Sequence, residues 1–271
     1  MNNDIKLYGR ILLTGDIRLV TGLHVGISKE TLDIGGVDMP IIRDPRTQEP
    51  YLPGSSLRGK MRSQWEKFKG VPQNWNLSKG REAPPREAKD VVIHLCTNKA
   101  GYDACPVCQI YGVPGDKDSS NPTRLIVRDV RLDITSLAQA KVDRFTEVKA
   151  EAAIDRVTSA ATPRSMERIP AGAILKGMEL VFSVYTAADR TRFGDVLTAL
   201  QLVEDDYLGG QGSRGSGKVA FENLAVTLKT GANYAEITES RFRAKSLADL
   251  IAARSDLVNW IEDKIKVNGG G

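Results

Sequence analysis

Nowhere in this chain do apolar residues run unbroken for the roughly 18 positions that a bilayer-spanning helix needs. The opening Met1-Asn2-Asn3-Asp4-Ile5-Lys6 lacks the basic and apolar regions of a secretory signal, so a soluble, cytoplasmic protein is expected. Aromatic residues are scarce at 6%, which argues against a base-stacking platform as the main mode of ligand contact. Cysteines number only three, and an odd count without a secretory signal argues against a disulfide framework. An excess of acid is missing too. Lys and Arg total 38 against 34 Asp and Glu, giving a formal charge of +4 and a bias toward polyanion backbones as partners. The 271 residues are enough for one large core with insertions.

Periodicity supplies the elements. Residues 11–20 alternate as a strand, with Ile11, Leu13, Ile17 and Leu19 on one face. Leu57, Met61, Trp65 and Phe68 recur at helical spacing and predict a helix over 56–68. Strands are predicted over 125–132, 174–185 and 219–228, with a second helix marked by Phe193, Val196, Leu197, Leu200 and Val203. The order strand, helix, strand, strand, helix, strand is the α+β, ferredoxin-like (RRM-like) βαββαβ unit. Segments 27–52, 70–123 and 134–173 exceed ordinary connections and are expected to be functional insertions. Ser246 is placed to cap a last helix over 247–265.

Four constellations carry candidate chemistry. In Pro53-Gly54-Ser55-Ser56-Leu57-Arg58-Gly59-Lys60-Met61-Arg62, a helix N-terminus with Ser55 and Ser56 meets the cations Arg58, Lys60 and Arg62. Unpaired N–H groups and positive charge make such an end a seat for phosphate. The loop Gly209-Gly210-Gln211-Gly212-Ser213-Arg214-Gly215-Ser216-Gly217-Lys218 satisfies G-x4-G-K, but Val219 stands where a nucleotide-binding loop needs Ser or Thr. It also follows a helix and enters a strand, the reverse of that motif's context. Its backbone can either approach a phosphate backbone closely, with Arg214 and Lys218 adding charge, or simply turn the chain. His94, Cys96, Cys105 and Cys108 fall within fifteen residues and provide the donor set of a closed tetrahedral zinc site. Finally, Asp33 and Asp38 flank Gly35-Gly36 and are candidates for a divalent ion or for positioning a 2′-hydroxyl. His24, at a strand end, is a candidate general base or a structural residue.

The chain resembles the RAMP superfamily of CRISPR-associated proteins. Within it, the chain is similar to the third-subunit family that forms the backbone of type III-A (Csm) effector complexes. The resemblance runs through Thr21-Gly22-Leu23-His24-Val25-Gly26, Ile41-Ile42-Arg43-Asp44-Pro45 and the Pro53–Lys60 segment. It continues through Phe145–Lys149, Ile154–Val157, Pro163–Arg168 and Asp206–Leu224, covering most of residues 5–228 in order. It implies one RAMP domain, taken over 1–271, with an RRM-like palm (5–69, 124–133, 174–228), a zinc-binding lid (70–123) and a thumb hairpin (134–173); a C-terminal helical extension (229–271) lies beyond the matched part.

The same resemblance implies a filament of copies along a guide crRNA, with other type III subunits as partners and complementary target RNA cut at regular intervals. The thumb would wedge into the guide–target duplex, with Arg156, Arg164 and Arg168 on its backbone and Met166 as the apolar wedge. Gly210, Gly212, Gly215 and Gly217 would let the glycine loop approach guide phosphates. Aligning Gly36-Val37-Asp38-Met39-Pro40 with the family's acidic loop places a metal-dependent (Mg²⁺ or another divalent ion) ribonuclease role on Asp38, with Asp33 as the neighbouring competitor. Two rival roles follow from the same residues: processing of precursor guide RNA with His24 as base, and a non-catalytic RNA-binding scaffold.

Overall fold

The computed structural model describes residues 5–26, 37–83, 90–114, 122–138, 145–231 and 234–267. In chain order, β1 (Gly9–Leu19) leads to β2 (Tyr51–Leu52) and α1 (Gly54–Lys69). Three short strands follow, β3 (Trp75–Asn76), β4 (Arg81–Glu82) and β5 (Val92–Ile93), then two short helices, α2 (Lys99–Ala104) and α3 (Cys108–Tyr111). Next come β6 (Leu125–Val127), β7 (Val130–Asp133), a hairpin of β8 (Glu147–Ile154) and β9 (Ala161–Arg168), then β10 (Ile174–Val184) and α4 (Ala187–Asp205). The chain ends through β11 (Val219–Thr230), β12 (Glu236–Ser246), α5 (Leu247–Ala252) and α6 (Arg254–Lys264).

The main sheet has the order β12-β11-β1-β10-β7-β2, with β6 also paired to β10. All its pairings are antiparallel. Removing the edge strands β12 and β2 leaves the fourth, first, third and second strands of a βαββαβ unit, which is the expected ferredoxin-like order. Every second residue of β1 is buried, from Gly9 through Leu19, and this face joins Leu57, Met61 and Trp65 of α1 and Phe193, Val196, Leu197 and Leu200 of α4 in one core. Burying side chains of this size stabilises by roughly 1.5–3 kcal/mol each before entropy is counted. The other face of the sheet is occupied by polar pairs: Arg18 to Glu222 (2.7 Å), Arg128 to Glu179 (3.3 Å) and Arg10 to Tyr234 (3.2 Å).

Four expectations need correction. The helix predicted from residue 56 begins at Gly54, and Phe68 is 59% exposed, stacked on Trp65 beside the helix end. The strand predicted over 125–132 is broken at Arg128-Asp129, because the N-terminus of α1 docks there. Gly54 N–H donates to Asp129 Oδ1 (2.7 Å), and a Cβ at Gly54 would sit 2.1 Å from the Val127 carbonyl. The helix predicted over 247–265 is two helices parted at Ala253, although Ser246 caps the first as expected, in a reciprocal box with Asp249. The C-terminal segment is also not wholly helical, since β12 adds an edge strand on β11. In that strand Arg243 and Lys245 are exposed at one parity, which protects an edge from non-native pairing.

Candidate nucleic-acid interface and acidic site

At the end of β1 the chain runs Thr21 to Gly26 between two other segments. Leu23 exchanges backbone hydrogen bonds with Ile169, just past β9, while His24 O accepts from Gly210 N (2.8 Å) and Gly22 O accepts from Gly217 N (2.9 Å). The root of the β8–β9 hairpin and the glycine loop are thereby fastened to the same short strap. His24 itself is buried, 6% exposed, with Nδ1 2.7 Å from the Glu167 carbonyl. Its burial and this contact give it a structural role in fastening the strap to β9.

The acidic segment lies along β9. Met39 and Met166 form a parallel bridge, and Glu167 N–H donates to Met39 O (3.0 Å). The Glu167 carboxylate accepts from Ile41 N–H (3.0 Å), from the Thr146 hydroxyl (2.8 Å) and from the Arg43 guanidinium. Asp38 is therefore carried at the hairpin root. Its Oδ2 accepts from both the backbone N–H (2.7 Å) and the hydroxyl (2.9 Å) of Ser165. Those two bonds, reinforced by the charge of Arg164, hold the Asp38 carboxyl below its ordinary value, so it is an exposed anion at neutral pH. Asp33 lies outside the described residues.

Between hairpin and glycine loop is a cleft of about 400 Å³ lined by Lys149, Glu151, Ala152, Ala153, Arg164 and Arg214. Lys149 Nζ donates to Arg214 O (3.0 Å), and Glu151 pairs with both Lys149 (2.7 Å) and Arg214 (3.2 Å). Arg164 is exposed beside it, and Arg156 is exposed in the hairpin tip. Lys149 and Glu151 are contributors that reading the sequence missed. Their signal was the alternation of β8, which puts 147, 149 and 151 on the partly buried side.

Met166 is not the wedge. It is 2% exposed, on the residue of β9 that bridges Met39, so its side chain is covered and not offered to a duplex. Val157, 91% exposed in the turn between the strands, is more exposed than the hairpin's other solvent-facing large apolar residues, Val148 and Ile154. Arg168 is also turned inward: it pairs with Glu147 (2.5 Å), and its guanidinium fills the space above Gly22.

The cations of α1 have internal partners instead of an open seat. Arg58 donates to the carbonyls of Tyr111 and Leu125, and Arg62 to those of His94 (2.6 Å) and Gly112 (3.4 Å) as well as to Glu66 (2.7 Å). Lys60 pairs with Asp206 (2.7 Å) and lies 3.4 Å above the Tyr207 ring. The first N–H of the helix is taken by Asp129, leaving Ser55 exposed and Ser56 half-buried at its start. Several loop glycines are explained by packing. A Cβ on Gly212 would meet the Tyr207 ring at 2.1 Å, and one on Gly217 (φ 88°) the Leu208 carbonyl at 2.1 Å. Gly215 (φ 83°) faces open space, Gly210 rests on His24, and Lys218 donates to the Glu204 carbonyl.

The four metal-type residues do come together. One donor atom from each of His94, Cys96, Cys105 and Cys108 lies within 4.8 Å of all the others. His94 Nδ1 is 2.9 Å from the Pro72 carbonyl, which fixes its N–H there and leaves Nε2 for the cluster, 3.3 Å from Cys105 Sγ. The neighbouring Cys108 thiol and the backbone N–H groups of Cys108 and Val107 hold the Cys105 thiol below its ordinary value. A buried imidazole with three sulfur donors fits a closed tetrahedral metal site.

Comparison with known proteins matches residues 16–220 to the model of the RAMP superfamily. The CRISPR system Cms endoribonuclease Csm3 of Methanocaldococcus jannaschii is 34% identical over 269 residues, covering 98% of both chains. The Streptococcus thermophilus protein of the same description is 36% identical over 231 residues, 84% of this chain and 93% of that one. Among solved structures, a Csm3–Csm4 subcomplex of the type III-A CRISPR-Cas interference complex aligns with TM-score 0.56 and 25% identity, over 98% of this chain and 100% of its counterpart. Methanopyrus kandleri Csm3 aligns in fold with TM-score 0.59 at 21% identity, over 94% and 98% of the two chains.

Proposed function

Because this chain belongs to the RAMP superfamily, we propose that it is the guide-RNA-binding backbone subunit of a type III CRISPR effector complex, and that it cleaves complementary target RNA. Copies assemble as a filament on crRNA beside other subunits of the complex. The observation that carries this reading is the placement of Asp38, an exposed carboxylate bonded directly to the strand of the hairpin that would enter the duplex. Arg164, Arg214 and Lys149 line the cleft next to it and supply phosphate contacts, while Arg156 and Val157 occupy the exposed tip.

Displacing a nucleotide costs a few kcal/mol of stacking and frees its backbone from A-form geometry. The 2′-oxygen then forms a bond to the adjacent phosphorus as the bond from phosphorus to the 5′-oxygen breaks, leaving a cyclic phosphate and a 5′-hydroxyl. Asp38 orients the nucleophile or holds a divalent ion. A single carboxylate such as Asp38 would be enough to hold Mg²⁺, which is usually bound through one or two carboxylates. When bound, such an ion supplies Lewis acidity at the phosphate. The cysteine–histidine cluster takes zinc as a structural ion, with no open position for chemistry.

The test is cleavage of labelled guide-complementary RNA by assembled complexes carrying wild-type or Asp38→Ala chains, with Mg²⁺ or EDTA. A regular ladder lost in both the variant and the EDTA lane, with cyclic-phosphate ends, is expected. A ladder that persists in the variant assigns the cutting to another residue or subunit.

A further inference from the structure

We infer that Ser165 is the positioning residue of the acidic site, aiming the Asp38 carboxylate by engaging one of its two oxygens twice. The inference deepens the reading above and rests on Asp38 being the acid that acts on RNA. An aspartate on an exposed segment turns freely about its side-chain bonds, and a reacting group that samples many rotamers loses the benefit of preorganised geometry. Here three hydrogen bonds remove that freedom. Ser165 N–H and Ser165 Oγ–H both donate to Asp38 Oδ2, at 2.7 and 2.9 Å, and Asp38 N–H lies 3.2 Å from Ser165 Oγ. The serine hydroxyl is thus donor and acceptor within one closed ring, a role that alanine cannot fill.

The two ends of the ring are unequal. Oδ2 is saturated by Ser165, whereas among the described residues Oδ1 has no hydrogen-bond partner, so one oxygen is anchored and the other is left for a ligand. The anchor is stiff as well. Ser165 pairs with Ala150 of β8, and the next two residues along β9, Met166 and Glu167, continue the seam through the Met39 bridge and the Ile41 N–H. Ser165 therefore transmits the position of the hairpin strand to the carboxylate.

The test uses assembled complexes with wild-type, Ser165→Ala, Ser165→Thr and Asp38→Ala chains. Three quantities are read: the single-turnover rate of target cleavage, the Kd for uncut target, and amide exchange over residues 37–43. Loss of a group that orients a reacting ligand typically costs about tenfold to a hundredfold. Ser165→Ala is expected to slow cleavage by that factor, with target Kd and ladder spacing unchanged and faster exchange at the Asp38 amide. Threonine keeps the hydroxyl and suits a strand, so Ser165→Thr is expected to restore most of the rate. Wild-type cleavage by Ser165→Ala beside a dead Asp38→Ala complex overturns this inference alone. So does a threonine variant as slow as the alanine one, or an alanine variant that loses target binding in step with rate. Wild-type cleavage by Asp38→Ala overturns the underlying assignment instead.

Discussion

Single side chains in this molecule do different work from what their type suggests, and burial decides which. Met166 sits among charged neighbours on β9 yet is almost fully buried, beside its bridge to Met39. Met166→Ala should cost about 2–5 kcal/mol in chemical denaturation. Val157→Ala should leave stability within about 0.5 kcal/mol while weakening base displacement, read by a fluorescent base analogue in the target. The burial of Met166 was not legible in the sequence, because β9 reads Ala-Thr-Pro-Arg-Ser-Met-Glu-Arg without apolar alternation, and Arg164 on the same parity is exposed. Nor could the carbonyl partners of Arg58 and Arg62 be read there, since backbone carbonyls of residues 94, 111, 112 and 125 leave no mark in residue type, whereas the i,i+4 pair of Arg62 with Glu66 does. Asp189 shows a further residue-scale consequence. Burial alone would raise its pKa, but Arg124 at 2.8 Å and the N–H groups of Tyr185 and Thr186 bring it below the ordinary value. A depressed folded pKa means that its stabilisation is complete above the unfolded value near 4 and is lost as pH falls through the folded one. Acid titration of wild type and Arg124→Met should show it: the variant loses about 3–5 kcal/mol at pH 7, and that deficit narrows at low pH.

At the scale of elements, the hairpin and the glycine loop are held together by the charge of Glu151, which on the proposed function competes with RNA phosphates. Glu151 pairs with Lys149 and Arg214 in the cleft where phosphate contacts are expected. Glu151→Gln should therefore tighten guide binding and, by releasing two cations, steepen its dependence on salt, measured as the slope of log K against log salt. An unchanged slope would place the phosphates elsewhere. The palm elements were legible because their buried faces impose a period of two or near 3.6 on apolar residues. The break between β6 and β7 was not, since it answers to the close approach of Gly54 to Asp129, a contact across 75 positions of sequence. The edge strand β12 escaped for a related reason: lying at the rim it carries charge at alternate positions, and the alternation of apolar residues that marks a buried strand is weak.

For the molecule as a whole, the α1 helix joins the palm to the cysteine-bearing insertion. Trp65 reaches the Pro106 carbonyl (3.3 Å), Arg62 that of His94, and Arg58 that of Tyr111. One zinc per chain by elemental analysis is expected, and its removal by a strong chelator should lower Tm for the entire protein in one transition. Cys108→Ser should do the same without a chelator. A chelator-insensitive Tm would show the cluster to be reduced thiols packed as apolar groups. The arginines of α1 carry one more implication, for descent within the superfamily. The contrast is with a hypothetical relative that lacks the cysteine-bearing lid. In such a chain the carbonyls of His94, Tyr111 and Gly112 have no counterparts, and the same arginines are unemployed at the mouth of a helix. Gaining or losing the lid would then convert them from internal struts to RNA contacts with no change of residue, so an unaltered motif can record two different histories.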